Sequence, residues 1–123
     1  MEDFVTFEIA KKLKEKGFDY PCVGHYVNNQ LYIAHYQNAF HSDKDESFDA
    51  PTISQVLKWL REEKKIHLIV EITDSGWYYT LYPNVRWEND KLKSDKYIMS
   101  FKNKTSYEEA VLAGIEYCLN KLI

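Results

Sequence analysis

Ile66-His67-Leu68-Ile69-Val70-Glu71-Ile72-Thr73-Asp74-Ser75-Gly76-Trp77-Tyr78-Tyr79-Thr80-Leu81-Tyr82 is the stretch that decides the fold class. Its first half alternates, with Ile66, Leu68, Val70 and Ile72 on one side, the period of two that a strand imposes on side-chain direction. Asp74-Ser75-Gly76 is turn chemistry, and the aromatic run after it favours a second strand. A two-residue Ser75-Gly76 turn places Trp77, Tyr79 and Leu81 on the apolar face. His67, Ile69, Glu71, Tyr78, Thr80 and Tyr82 then share the other. The stretch predicts an antiparallel hairpin with one face turned to a core.

Residues Cys22 to Tyr36 read as a second hairpin. Asn28-Asn29 tolerates the positive φ angles of a tight turn, which sets Tyr26 opposite Leu31, Gly24 opposite Ile33 and Cys22 opposite His35. Before it, Thr6 to Lys16 has helix punctuation: a capping Thr6, Glu8 in the first turn and Gly17 as a stop. Gln37 to Ala50 reads as a polar loop without periodicity. Thr52 and Gln55 form a capping box for a helix whose stripe is Ile53, Val56, Leu57 and Leu60, with Trp59 at the margin.

After Pro83, Asn84 to Asp95 is polar apart from Val85, Trp87 and Leu92 and reads as a loop. Tyr97, Met99 and Phe101 alternate, predicting a strand over Lys96 to Lys102. Ser106 and Glu109 form a second capping box, opening a helix with Val111, Ile115, Cys118 and Leu122 on its stripe. The order α-β-β-α-β-β-β-α predicts a single α+β domain over residues 1–123, with helices packed on a mainly antiparallel sheet.

Composition narrows the function classes. The 123 residues hold 16 Lys and Arg against 19 Asp and Glu, a net charge of −3, and the basic residues are interrupted by acids. That balance argues against a phosphate-binding face. No apolar run approaches the ~18 residues of a membrane helix. The acidic start lacks the pattern of a secretion signal, so a cytoplasmic location is expected. The two cysteines, Cys22 and Cys118, form no Cys-x-x-Cys motif and read as reduced packing residues.

Several segments carry a likeness to known sequences. They are Val5-Thr6-Phe7-Glu8-Ile9-Ala10-Lys11, Ala50-Pro51-Thr52, Val56-Leu57-Lys58-Trp59-Leu60-Arg61, Gly76-Trp77-Tyr78-Tyr79 and Ser106-Tyr107-Glu108-Glu109-Ala110. Together they resemble a family of small uncharacterised bacterial proteins, often associated with prophages or mobile elements of gut Bacteroidales. The resemblance covers nearly the whole chain but rests on caps, turns and core stripes. It implies a one-domain α+β fold in a phage-accessory setting and brings no activity, cofactor or catalytic residue.

Three kinds of chemistry can be set against the residues. Cys22 opposite His35 offers a thiol and a base, but no helix start or glycine-rich turn stands beside it to activate the thiol or hold an oxyanion. His25, His35, His41 and His67 lack metal-ligand spacing, and Asp43-Lys44-Asp45-Glu46 lacks the glycine and distal Glu of a calcium loop. Glu71 and Glu88 pair only if folding brings them together. No phosphate loop, nucleophile elbow or dinucleotide fingerprint is present. No cofactor or metal is therefore assigned.

The informative excess is aromatic, 15% of residues with ten tyrosines. Tyrosine gives amphipathic contact area at low entropic cost and is enriched at interfaces. Tyr32, Tyr36, Tyr78 and Tyr82 are the candidate residues of an uncovered sheet face. The expected function is a small non-catalytic interaction or accessory module, acting on a protein partner or a second copy through that face or a strand edge. Single-stranded nucleic acid stacked on the same face is the alternative, and a small hydrolase or metal enzyme stands third.

Overall fold

The computed structural model describes residues 3–33, 47–100 and 103–123. The chain divides into two compact units, Met1–Val56 and Leu57–Ile123. Among the described residues no helix is long and apolar enough to cross a membrane. Three α-helices and antiparallel sheets make the fold α+β, as the alternating patterns predict.

In the first unit, α1 (Phe7–Glu15) starts where the Thr6 hydroxyl accepts from Ile9 N at 3.3 Å. Its Ile9, Ala10 and Leu13 are buried. Strands β1 (Gly24–Val27), β2 (Gln30–Ile33) and β3 (Ser47–Ala50) form a sheet in the order β2-β1-β3. Asn28 and Asn29 take φ of 48° and 69°, and the turn fixes Tyr26↔Leu31 and Gly24↔Ile33 as the sequence predicts. Phe7 reaches from α1 to the sheet, meeting Tyr26 and Phe48 edge-on at 5.6 and 5.5 Å. The Tyr26 hydroxyl donates to Val5 O at 2.7 Å, tying the N-terminal segment to β1.

Helix α2 (Ile53–Glu63) runs across the division between the units. Its capping box is formed: Gln55 N donates to Thr52 Oγ1 at 3.2 Å, and Thr52 N donates to Gln55 Oε1 at 2.9 Å. Trp59 is not marginal, as the stripe suggested, but 2% exposed, while Leu57 is only half-buried. The apolar arc of the helix is thus rotated towards Val56, Trp59 and Leu60.

The second unit is built on β4 (His67–Thr73) and β5 (Gly76–Tyr82), with β8 (Ile98–Met99) on the far side of β5. The hairpin is present, but its loop is Asp74-Ser75, because Thr73 pairs with Gly76. Gly76 has φ +131°, and a Cβ there would stand 2.6 Å from Lys104 O. Gly76 therefore belongs to the ladder, where another side chain would clash. The shift of register is two residues, so every side chain keeps the face the alternation assigns to it. Leu68, Leu81 and Tyr79 lie against α3 (Tyr107–Tyr117), which packs across β4 and β5 and ends in a π-helical turn, Cys118–Leu122. Burial fades along β4 towards the turn, where Ile72 is 64% exposed.

Two segments read as loops contain strands. β3 lies in the stretch read as a polar loop, and tertiary pairing with β1 makes it a strand where its own periodicity does not. Between Pro83 and Asp95, β6 (Arg86–Glu88) and β7 (Lys91–Lys93) form a two-stranded hairpin around Asn89-Asp90. The strand predicted over Lys96–Lys102 is shorter, and Phe101 and Lys102 lie outside the described residues.

Candidate functional site

Pairing of β4, β5 and β8 assembles an aromatic row on the sheet face opposite α3. His67 stands directly across from Tyr82, with rings stacked at 6.2 Å and 30°. On the other side Tyr82 meets Tyr97, with centroids 6.0 Å apart at 45°. Alternation explains the grouping: Leu81 and Ile98 pair on the core face, so their neighbours Tyr82 and Tyr97 turn outward together. Tyr97 and Met99 are 55% and 41% exposed, His67 is exposed and Tyr82 is half-buried.

Below this row, Ile69, Thr80 and Met99 lie side by side, with Thr80 buried, and then Glu71 stands opposite Tyr78. The largest exposed aromatic surface of this face is the His67-Tyr82-Tyr97 corner with Met99, while Glu71 is also exposed and Tyr78 is half-buried like Tyr82. Its rings brace one another, which lowers the entropy lost when a partner covers them. Its charge is sparse: among the described residues Glu71 is the one acid of these three rows and no Lys or Arg stands within them.

The four candidate tyrosines are not gathered at one place. Tyr78 and Tyr82 share this face. Tyr32 belongs to the β2-β1-β3 sheet, 39% exposed and stacked on His25 at 6.1 Å. Tyr36 lies outside the described residues. Tyr97 is not among the four candidates, because the alternation of Tyr97, Met99 and Phe101 predicts a strand without saying which face it turns to the core; Ile98 takes the core position opposite Leu81. The signal was the strand's parity, which its register against β5 decides.

The alternative chemistries can be placed residue by residue. Cys22 is half-buried, its thiol donates to Tyr20 O at 3.2 Å, and burial with the nearby Asp49 pushes its pKa up to about 11. A thiol held protonated in this way is a poor nucleophile near neutral pH. Its supposed partner His35 lies outside the described residues, as do His41 and the acids Asp43, Asp45 and Glu46. Among the described residues no group of three or more His, Cys, Asp or Glu is placed to hold a metal ion. Glu88 is engaged by Arg86 at 3.2 Å and Lys93 at 3.6 Å, while Glu71 sits beside Tyr78.

Comparison with protein-family models, with curated proteins and with solved structures finds no match for this chain.

Proposed function

We propose that this chain is a small non-catalytic interaction module that binds another protein through the outer face of β4, β5 and β8. The His67-Tyr82-Tyr97 row carries the reading, because it sets three rings in succession, on β4, on β5 and just ahead of β8, with the outermost 55% exposed. Tyrosine at such a position supplies a rigid anchor with an apolar body and a polar tip. The raised thiol of Cys22 gives no support to covalent catalysis by that residue. An accessory or regulatory role in a mobile element is the setting that the family resemblance suggests.

Rings about 6 Å apart also suit stacked bases, which makes single-stranded nucleic acid the second reading. Glu71 on the same face and the net charge of −3 weigh against it. Affinity capture from host lysate, treated with nuclease, tests the protein reading. A stoichiometric protein should be retained by the wild type and lost with Tyr82→Ala/Tyr97→Ala. Retention that disappears on nuclease treatment, together with salt-sensitive binding of labelled oligonucleotides, would replace it with the nucleic-acid reading.

A further inference from the structure

The β6-β7 hairpin presents features that neither the core nor the aromatic row uses. It is a separate two-stranded sheet, a form of marginal stability in isolation. One side carries Trp87 opposite Leu92, exposed by 75% and 62%. The other carries a charged lattice, with Arg86 on Glu88 and Asp95 at 3.2 Å each and Lys93 on Glu88 at 3.6 Å.

The two edges differ in charge. Along β7, Lys91 and Lys93 are like charges, which oppose pairing with a second β7. Along β6, Arg86 and Glu88 flank Trp87 symmetrically. Alone among the described strands, β6 carries both a Lys or Arg and an acid.

Hydrogen-bond geometry decides which groups face outward. Asn89 and Asp90 have φ of 53° and 61°, so the loop is a two-residue turn closed by the hydrogen-bonded pair Glu88↔Lys91. Pairs alternate along an antiparallel ladder, so Trp87↔Leu92 is the non-bonded kind, and the N–H and C=O of Trp87 point away from β7. Val85, two residues earlier and of the same phase, donates from its N to Lys65 O at 2.7 Å.

We infer that the β6 edge is a self-recognition surface, pairing antiparallel with β6 of a second copy of this chain about a two-fold axis at Trp87. The two Trp87 residues exchange two backbone hydrogen bonds. Arg86 of each copy then stands directly opposite Glu88 of the other, in the non-bonded positions where side chains come closest. The four-stranded sheet joins Leu92 and Trp87 of both copies into one apolar stripe. Lys65 already occupies Val85, so the pairing spans three residues, and so short a contact predicts a weak dimer below the ~1,200 Å² of standard interfaces.

The inference is independent of the aromatic row, and charge variants test it without touching that row. Sedimentation equilibrium at low salt, over a concentration series, should show a monomer–dimer equilibrium for the wild type. Glu88→Lys sets two cations opposite each other at both ends of the pairing, and Arg86→Glu sets two anions. Each should weaken the dimer by roughly tenfold or more. An equimolar mixture of the two variants restores unlike charges at both positions and should associate again, which no folding defect would produce. A wild type that stays monomeric throughout would overturn the inference. So would single variants that dimerise like the wild type, or a mixture of natively folded variants that fails to recover.

Discussion

Tyr82 and Tyr97 meet at a centroid separation of 6.0 Å because Leu81 and Ile98 pair beneath them on the core side of the sheet. The contact joins the last residue of β5 to the residue just before β8 and leaves Tyr97 55% exposed. A ring contact at a half-exposed cross-strand position contributes little to stability, about 0.2–1 kcal/mol. An anchor at the centre of an interface contributes about 2 kcal/mol or more to binding. Tyr97→Ala should therefore leave thermal unfolding nearly unchanged and weaken partner binding by roughly thirtyfold. Melting curves beside binding isotherms separate the two effects; equal losses in both would make the residue structural.

Gly114 holds α3 close to the sheet. A Cβ there would lie 2.7 Å from Leu68 Cδ1 and 3.2 Å from Tyr79 Cγ. Alanine improves helix propensity by about 1 kcal/mol, but overpacking against these two side chains costs about 1–3 kcal/mol. Gly114→Ala is expected to destabilise on balance, seen as a lower urea midpoint with an unchanged slope. A higher midpoint would mean that Leu68 and Tyr79 yield easily.

The thiols predict a pH dependence. Burial pushes Cys118 from 9.0 up to about 12, and burial with Asp49 pushes Cys22 up to about 11. The folded state therefore holds these protons more tightly than the unfolded chain. Their contribution to stability is complete below about pH 9. It falls as pH rises through the window that ends near 11 for Cys22 and 12 for Cys118. Replacing both by serine or alanine should flatten the alkaline limb of a stability profile, whatever it does near neutrality. Cys118, fully buried, should react with an alkylating reagent only as fast as the chain opens, and rapid labelling of the native protein would contradict this.

What the sequence made legible was local. Asn28-Asn29 determined a hairpin register because its chemistry admits one turn, and Thr52 with Gln55 marked a helix start by reciprocal hydrogen bonds. At the third helix only half of that box forms: Glu109 N donates to Ser106 Oγ at 3.1 Å, but the Glu109 carboxylate accepts from Thr105 N at 2.9 Å and from its hydroxyl. Those bonds lower the Glu109 pKa.

The losses came where pairing overrides pattern. Ser47–Ala50 is a strand because β1 offers it an edge, and Asn89-Asp90 turns a hairpin whose strands hold one large apolar residue each. Both are too sparse for periodicity to register. The candidate face followed the same rule. Tyr78 and Tyr82 were legible from the Ile66–Tyr82 alternation, whereas Tyr97 joined them only through the register of β8 on β5.

Site-specific photo-cross-linking from Tyr97 tests the interaction reading most directly. A photoreactive phenylalanine analogue is placed at Tyr97, and in a control at Tyr107, which is 41% exposed on α3 on the other side of the sheet and packs edge-on to Trp77. A single discrete protein adduct from position 97, absent from position 107, is the predicted result. No adduct from position 97, the same adduct from both positions, or an adduct that nuclease removes would contradict the account.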